Sequence, residues 1–271
     1  MKAVAIEKSQ PKYPLIGPDD PPPFEVLNRD GKSSVLFVCD HASRAFPLHM
    51  GRLGLDRSVL DRHVAWDIGS ADVTRYLAER FDAVAVLAGY SRLLVDCNRQ
   101  LYDPSAFVKV SDGIAIPGNL NLSEDEKWLR VQSFYWPYHN AVSEEIFRLR
   151  ARGITPAVIS IHSCTPVFDR VVRPWHIGVL WDKDPRIAVP LLEHLAAVDG
   201  VCVGDNEPYS GRHPHDFTVD FHAEPRGLAH VGIEVRQDLI GVTEGAREWG
   251  AILGDGFEPI LADAGLYSRW V

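Results

Sequence analysis

The 271-residue sequence predicts an α/β fold: a mixed, largely parallel β-sheet sandwiched by helices. Three observations carry this expectation. Continuous apolar runs such as SVLFVC (34–39) and AVISI (157–161) read as strands buried on both faces. Between such runs lie segments with apolar residues at helical spacing. Two of the helices open on capping signals, Ser123-Glu-Asp-Glu126 and Asp184-Pro185. The order of the strands is not readable from these signals.

Taken in order, residues 1–24 are proline-rich and end in Asp-Asp-Pro-Pro-Pro, which predicts an extended arm across one α/β domain of residues 25–271. Ser34–Cys39 is the first central strand. Ala71, Val73, Leu77, Ala78 and Phe81 mark a helix over 70–81. Ala83–Leu87 and Leu93–Val95 read as strands. Residues 100–122 contain Pro104, Pro117 and Gly118; this is long for a loop and predicts a lid. The helix opened by Ser123 is expected to break near Pro137 and resume to Arg152. Ala157–Ile161 and Ile177–Leu180 are strands. A helix runs from Asp184-Pro185 to about Ala197, with Pro190 inside it. Val201–Val203 and Val231–Val235 are strands, and Thr243–Ala264 is mostly helical.

The bulk numbers bound the function. With 28 basic and 37 acidic residues, the net charge of -9 argues against a nucleic-acid binder. A local arginine cluster can still attract an anionic substrate. No apolar run is long enough to cross a bilayer, and the N-terminus lacks the long apolar segment of a signal peptide. The expectation is a soluble cytoplasmic protein without a membrane partner. Cys39, Cys97, Cys164 and Cys202 are widely spaced and form no C-x-x-C pair, so neither a disulfide framework nor a cysteine zinc site is expected. They read as small buried thiols.

The ends of the apolar runs are more specific. SVLFVC leads to Asp40-His41, RLLV to Asp96-Cys-Asn98-Arg99, AVISI to His162-Ser163, and VGI to Glu234. Strand ends are where α/β proteins place their chemistry. Imidazoles from His41 and His162, a carboxylate base at Glu234, and Arg99 with Asn98 for charge stabilisation fit metal-assisted hydrolysis. Each group also has a purely structural alternative. His41 and His162 can bond backbone carbonyls, Glu234 can pair with Arg236, and Asp96–Arg99 can close a turn.

Five stretches bear a family resemblance: VCDHASRAFP (38–47), SRLLVDCNR (91–99), WPYHNAV (136–142), SIHSCTP (160–166) and IEVRQDLI (233–240). In this order the sequence resembles the N-formylglutamate amidohydrolase family, related in fold to zinc carboxypeptidases and aspartoacylase. The resemblance implies a zinc-exopeptidase-like sheet with Zn2+ at the strand ends. His41 and His162 match ligands, Glu234 matches the general base, and Asn98-Arg99 matches the pair that grips a substrate carboxylate or polarises the scissile carbonyl. In the relatives a ligand Glu stands three positions after the first His; here that place is Arg44. Asp67 is the first choice for the replacement carboxylate and Asp40 the second; Asp67 can alternatively cap the next helix. Arg92, Arg173, His176 and Tyr209 are candidates for the substrate wall, with a surface turn at Pro208 as the alternative for Tyr209. His213, His215 and His222 read as loop histidines, and His139 as structural.

The first functional expectation is a zinc-dependent amidohydrolase acting on an N-formyl or N-acyl acidic amino acid. A related hydrolase of another small amide or peptide is the second. A non-enzymatic ligand-binding protein is the third. The discriminating feature is whether Asp67 or Asp40 reaches both His41 and His162. Ligand type does not settle zinc against another divalent ion, and oligomeric state is not readable.

Overall fold

The computed structural model describes residues 13–212 and 217–270. In chain order its strands are β1 (Phe24–Leu27), β2 (Val35–Cys39), β3 (Val84–Ala88), the hairpin β4 (Val110–Ser111) and β5 (Ile114–Ala115), β6 (Ala157–Cys164), the hairpin β7 (Val167–Phe168) and β8 (Val171–Val172), β9 (Ile177–Leu180), β10 (Val203–Asp205) and β11 (His230–Arg236). The main sheet has the order β1-β3-β2-β6-β11-β9-β10. β3, β2, β6 and β11 run parallel, as do β9 and β10, whereas β1 and β9 are antiparallel to their inner neighbours. The expected mixed, largely parallel sheet is therefore present. The helices are α1 (Arg57–Leu60), α2 (Ser70–Arg80), α3 (Glu124–Arg130), α4 (Trp136–Ala151), α5 (Pro185–Ala196), α6 (Phe217–His222), α7 (Gln237–Ile240) and α8 (Thr243–Ala262).

Strand alternation divides the core. Val35, Phe37 and Cys39 of β2 pack with Leu77 of α2, Leu191 of α5 and Phe257 of α8. Leu36 and Val38 face the other way, toward Tyr138, Val142 and Leu149 of α4. The arm crosses this second face: Leu15 N donates to Ser133 Oγ at 2.9 Å, and Gly89 N donates to Pro23 O at 2.9 Å. A Cβ at Gly89 would lie 2.2 Å from Pro22 O, so only glycine allows this approach. Residues 1–12 of the arm lie outside the described residues. Among the described residues, no helix is long and apolar enough to cross a membrane.

Two local expectations are corrected. The helix does not break at Pro137; a π-helical segment, Val131–Tyr135, joins α3 to α4 and accommodates the missing N–H. Leu93–Val95 is buried but is not a strand. Side chains, not a neighbouring strand, satisfy its carbonyls. Asn119 Nδ2 donates to Leu93 O at 2.8 Å, and Arg130 Nη1 donates to Leu94 O at 3.0 Å. Arg130 also donates to Asn119 Oδ1 at 2.6 Å and Gly118 O at 3.1 Å. Replacing Arg130 by Met strands these buried acceptors. It should lower unfolding free energy by about 2–4 kcal/mol, read as a lower urea midpoint at unchanged slope. An unchanged midpoint would mean that water replaces the guanidinium without cost.

Candidate metal centre

β2, β6 and β11 are adjacent or near-adjacent parallel strands, so their C-terminal ends share one sheet edge. Asp40 and His41 come directly after β2. Ser160 and His162 alternate onto one face of β6. Glu234 on β11 stands opposite His162 in the parallel register. Asp67 comes from the irregular segment before α2, where its N–H donates to His41 O at 3.0 Å. Gly69 makes that entry turn at φ +82°, and a Cβ there would lie 2.1 Å from Ile240 O. The Asp67 carboxylate does not cap α2. It points instead at the two histidines.

His41, Asp67 and His162 are all buried, and one ligand atom from each lies within 4.8 Å of the others. Asp67 Oδ2 is 2.9 Å from His162 Nδ1 and 3.4 Å from His41 Nδ1. The far ring nitrogens are held from behind. His41 Nε2 is 2.7 Å from Asp96 Oδ1; His162 Nε2 is 3.2 Å from Asp40 Oδ2 and 2.9 Å from Ser160 Oγ. An ionised carboxylate only accepts, so the Asp96 contact puts hydrogen on His41 Nε2 and turns the His41 Nδ1 lone pair toward Asp67, whereas His162 has a carboxylate at each ring nitrogen, Asp67 at Nδ1 and Asp40 at Nε2. His41 Nδ1 is buried and makes no hydrogen bond. A lone pair facing a carboxylate calls for a cation between them, and a carboxylate behind each histidine is the arrangement that orients metal-binding imidazoles. The residues fit a divalent metal.

Electrostatics agrees. Burial, helped by Arg92, pushes His41 down toward its neutral, ligating form. Burial alone would raise Asp40 and Asp96. The bonds and charges of His162, His41 and Thr218 at Asp40, and of His41, Arg99 and Arg92 at Asp96, outweigh it and hold both well below the usual carboxylate range.

This group lines a cavity of about 670 Å3 that also takes in Glu234, Arg92, Arg99, Asn98 and Tyr209. Arg92 additionally pairs with Asp67 Oδ1. Asn98 also shapes the backbone nearby. Its Oδ1 accepts from Phe217 N at 2.9 Å and Thr218 N at 3.0 Å, which starts α6. Thr218 in turn donates to Asp40 Oδ1 at 2.6 Å. Asp40, the second-choice ligand, thus stands behind His162.

Other expected residues fall elsewhere. Arg173 does not line the cavity. It lies behind Tyr209, donating to its hydroxyl at 3.0 Å, with its guanidinium 5.0 Å from the Phe168 ring centroid and 4.6 Å from that of Tyr209. Cation–π contact with these two rings holds it there. His176 accepts from Cys202 N at 3.0 Å, away from the cavity. Arg44 is half exposed, pairs with Asp61, and stacks 5.3 Å over Trp66. His139 Nε2 donates to Cys97 O at 2.9 Å, and its Nδ1 accepts from His222 Nε2 at 2.9 Å, so these two buried rings serve each other. His213 and His215 lie outside the described residues. His63 and Asp112 of the cavity wall are not singled out by the sequence; His63 sits in an irregular segment and Asp112 at the tip of a hairpin of two-residue strands, too short to show periodicity.

A sheet edge that gathers a metal-competent triad, a carboxylate and two guanidinium groups around one cavity is that of a hydrolytic α/β enzyme. The chain belongs to the N-formylglutamate amidohydrolase family, whose model matches residues 33–241. Among solved structures, gene product Atu2144 from Agrobacterium tumefaciens is similar at 37% identity, covering 92% of this chain and 98% of that one with a TM-score of 0.87. An N-formylglutamate amidohydrolase from Ralstonia eutropha JMP134 shares the fold, with a TM-score of 0.64 at 19% identity over 88% of this chain and 97% of that one. No curated protein matches the chain.

Proposed function

We propose that the chain is a zinc-dependent amidohydrolase cleaving an N-formyl or N-acyl acidic amino acid, with N-formyl-L-glutamate as reference substrate. The observation that carries this reading is the His41–Asp67–His162 group beside Glu234 in one cavity, in a chain of this family. His41 Nδ1, His162 Nδ1 and Asp67 Oδ2 would hold the ion, which when bound polarises the scissile carbonyl and acidifies water. Glu234 accepts the proton of the attacking water and returns it to the leaving amine. Arg99 and Arg92 hold the substrate carboxylates, and the Asn98 amide assists. Tyr209 forms one wall of the cavity, and Arg173 positions Tyr209. The 100–122 segment contributes Ser105, Val108 and Val110 to the cavity lining and shields the reaction from water.

The cavity volume favours a second reading: about 670 Å3 lies within the range that holds drug-sized ligands, so a larger N-acyl amino acid or small peptide also fits. The four cysteines are unpaired, which supports a reducing, cytoplasmic setting. A small anionic substrate is the proposed partner, and the acidic chain carries no role toward nucleic acid.

The test is formate release. Zinc-supplemented protein should hydrolyse N-formyl-L-glutamate with a kcat/KM at least about 100-fold above that for N-formyl-L-leucine, because the guanidinium groups require a carboxylate partner. Equal turnover of the two would remove the acidic-substrate reading.

A further inference from the structure

We propose that His63 is a substrate-binding residue, its Nε2–H donating to a carboxylate of the bound amide, with Asp112 at the β4–β5 hairpin tip tying the hairpin to the His63 segment through Arg62. The inference rests on the acidic-substrate reading above.

His63 belongs to the same irregular segment that delivers Asp67. It lines the cavity, and its Nε2 is buried without a hydrogen bond. The nearby carboxylate oxygen, Asp112 Oδ2, is 3.8 Å away, beyond hydrogen-bond reach. A buried polar atom without a partner costs free energy. In a cavity wall, a ligand supplies that partner. Burial, with Arg92, Arg62 and Arg173 acting against Asp112, pushes the ring toward its neutral form. A neutral imidazole whose Nε2 carries the hydrogen is a donor there, and Arg92 and Arg99 line the same cavity as further donors. Such a set suits an acceptor-rich group.

The hairpin accounts for Asp112. Val110 pairs with Ala115 and Ser111 with Ile114, so Asp112-Gly113 is a two-residue turn, with φ of +46° and +72°. Asp-Gly is the pair that such a turn favours. The base of the hairpin is anchored: Ile116 N donates to Lys109 O at 2.9 Å, and Asn119 Nδ2 donates to Val108 O at 2.8 Å. Its tip is held by the ion pair of Asp112 Oδ2 with Arg62 Nη2 at 2.6 Å. Arg62 and His63 are neighbours in sequence, so one carboxylate on the lid faces both.

The experiment compares wild type with His63→Ala, His63→Gln and Asp112→Asn. Metal content and thermal midpoint are recorded for each. Calorimetry measures glutarate binding, and steady-state kinetics use N-formyl-L-glutamate. His63→Ala should weaken glutarate binding and raise KM at least about tenfold, with kcat within about threefold and metal unchanged. His63→Gln, which retains a donor, should recover most of the loss. Asp112→Asn should raise KM about two- to fivefold at unchanged kcat. Unchanged glutarate affinity and KM in His63→Ala would overturn the proposal. So would a loss confined to kcat and metal content. If wild type releases no formate, the proposed function fails, but glutarate still decides: binding lost in His63→Ala supports the site, and no binding by wild type refutes it.

Discussion

Glu234→Gln is expected to keep its metal and lose turnover by about 10²–10⁴, the contribution of a positioned general base. Glu234 stands in register with His162, is 7% exposed, and shares the cavity with the triad, Arg92 and Arg99. Glutamine preserves shape and hydrogen-bonding reach but cannot take a proton. The loss should therefore fall on kcat, with KM nearly unchanged. A structural role would show instead as a lower unfolding midpoint with residual activity. Full activity in Glu234→Gln would mean that another group accepts the proton, and the mechanism would have to be rebuilt around it.

The second large effect is on the metal itself. His41→Ala and His162→Ala should each bring metal content below about one tenth of an equivalent. Formate release should fall at least about a thousandfold, because two protein ligands do not hold a catalytic zinc. Each change also leaves a buried carboxylate without its histidine: Asp96 in the first case, Asp40 in the second. Some loss of stability is therefore expected, of about 3–5 kcal/mol if the orphaned charge cannot be rehydrated. The two readouts separate. A folded variant that still binds stoichiometric metal would contradict the assignment of ligands, whereas a destabilised variant without metal would not.

The sheet and its strand ends were legible because β2, β6 and β11 are continuous apolar runs with polar groups at their ends. The Ser123 and Asp184 caps marked the starts of α3 and α5 for the same local reasons. Asp67 ranks above Asp40 as the carboxylate that replaces the one missing at Arg44, because it precedes Gly69 and a helix and because the resembled family has similar Asp residues; the structure brings that carboxylate to both histidines. Features that depend on distant partners could not be read. Leu93–Val95 looks like a strand because composition reports burial, not which groups satisfy the carbonyls; Arg130 and Asn119 do so from another part of the chain. α6 begins where Asn98 accepts from backbone N–H groups 119 and 120 positions away, a link with no local signal. Arg173 reads as a substrate cation from sequence because its two aromatic neighbours, Phe168 and Tyr209, meet it only in the fold.

The most direct test of the central claim is the metal content of the purified, untagged chain by elemental mass spectrometry. About one equivalent of a divalent ion per chain, with zinc the ion proposed, is the result predicted by the convergence of His41, Asp67 and His162. No metal as isolated, and none bound after zinc is added back, would contradict it and leave a cavity that binds ligands without hydrolysing them.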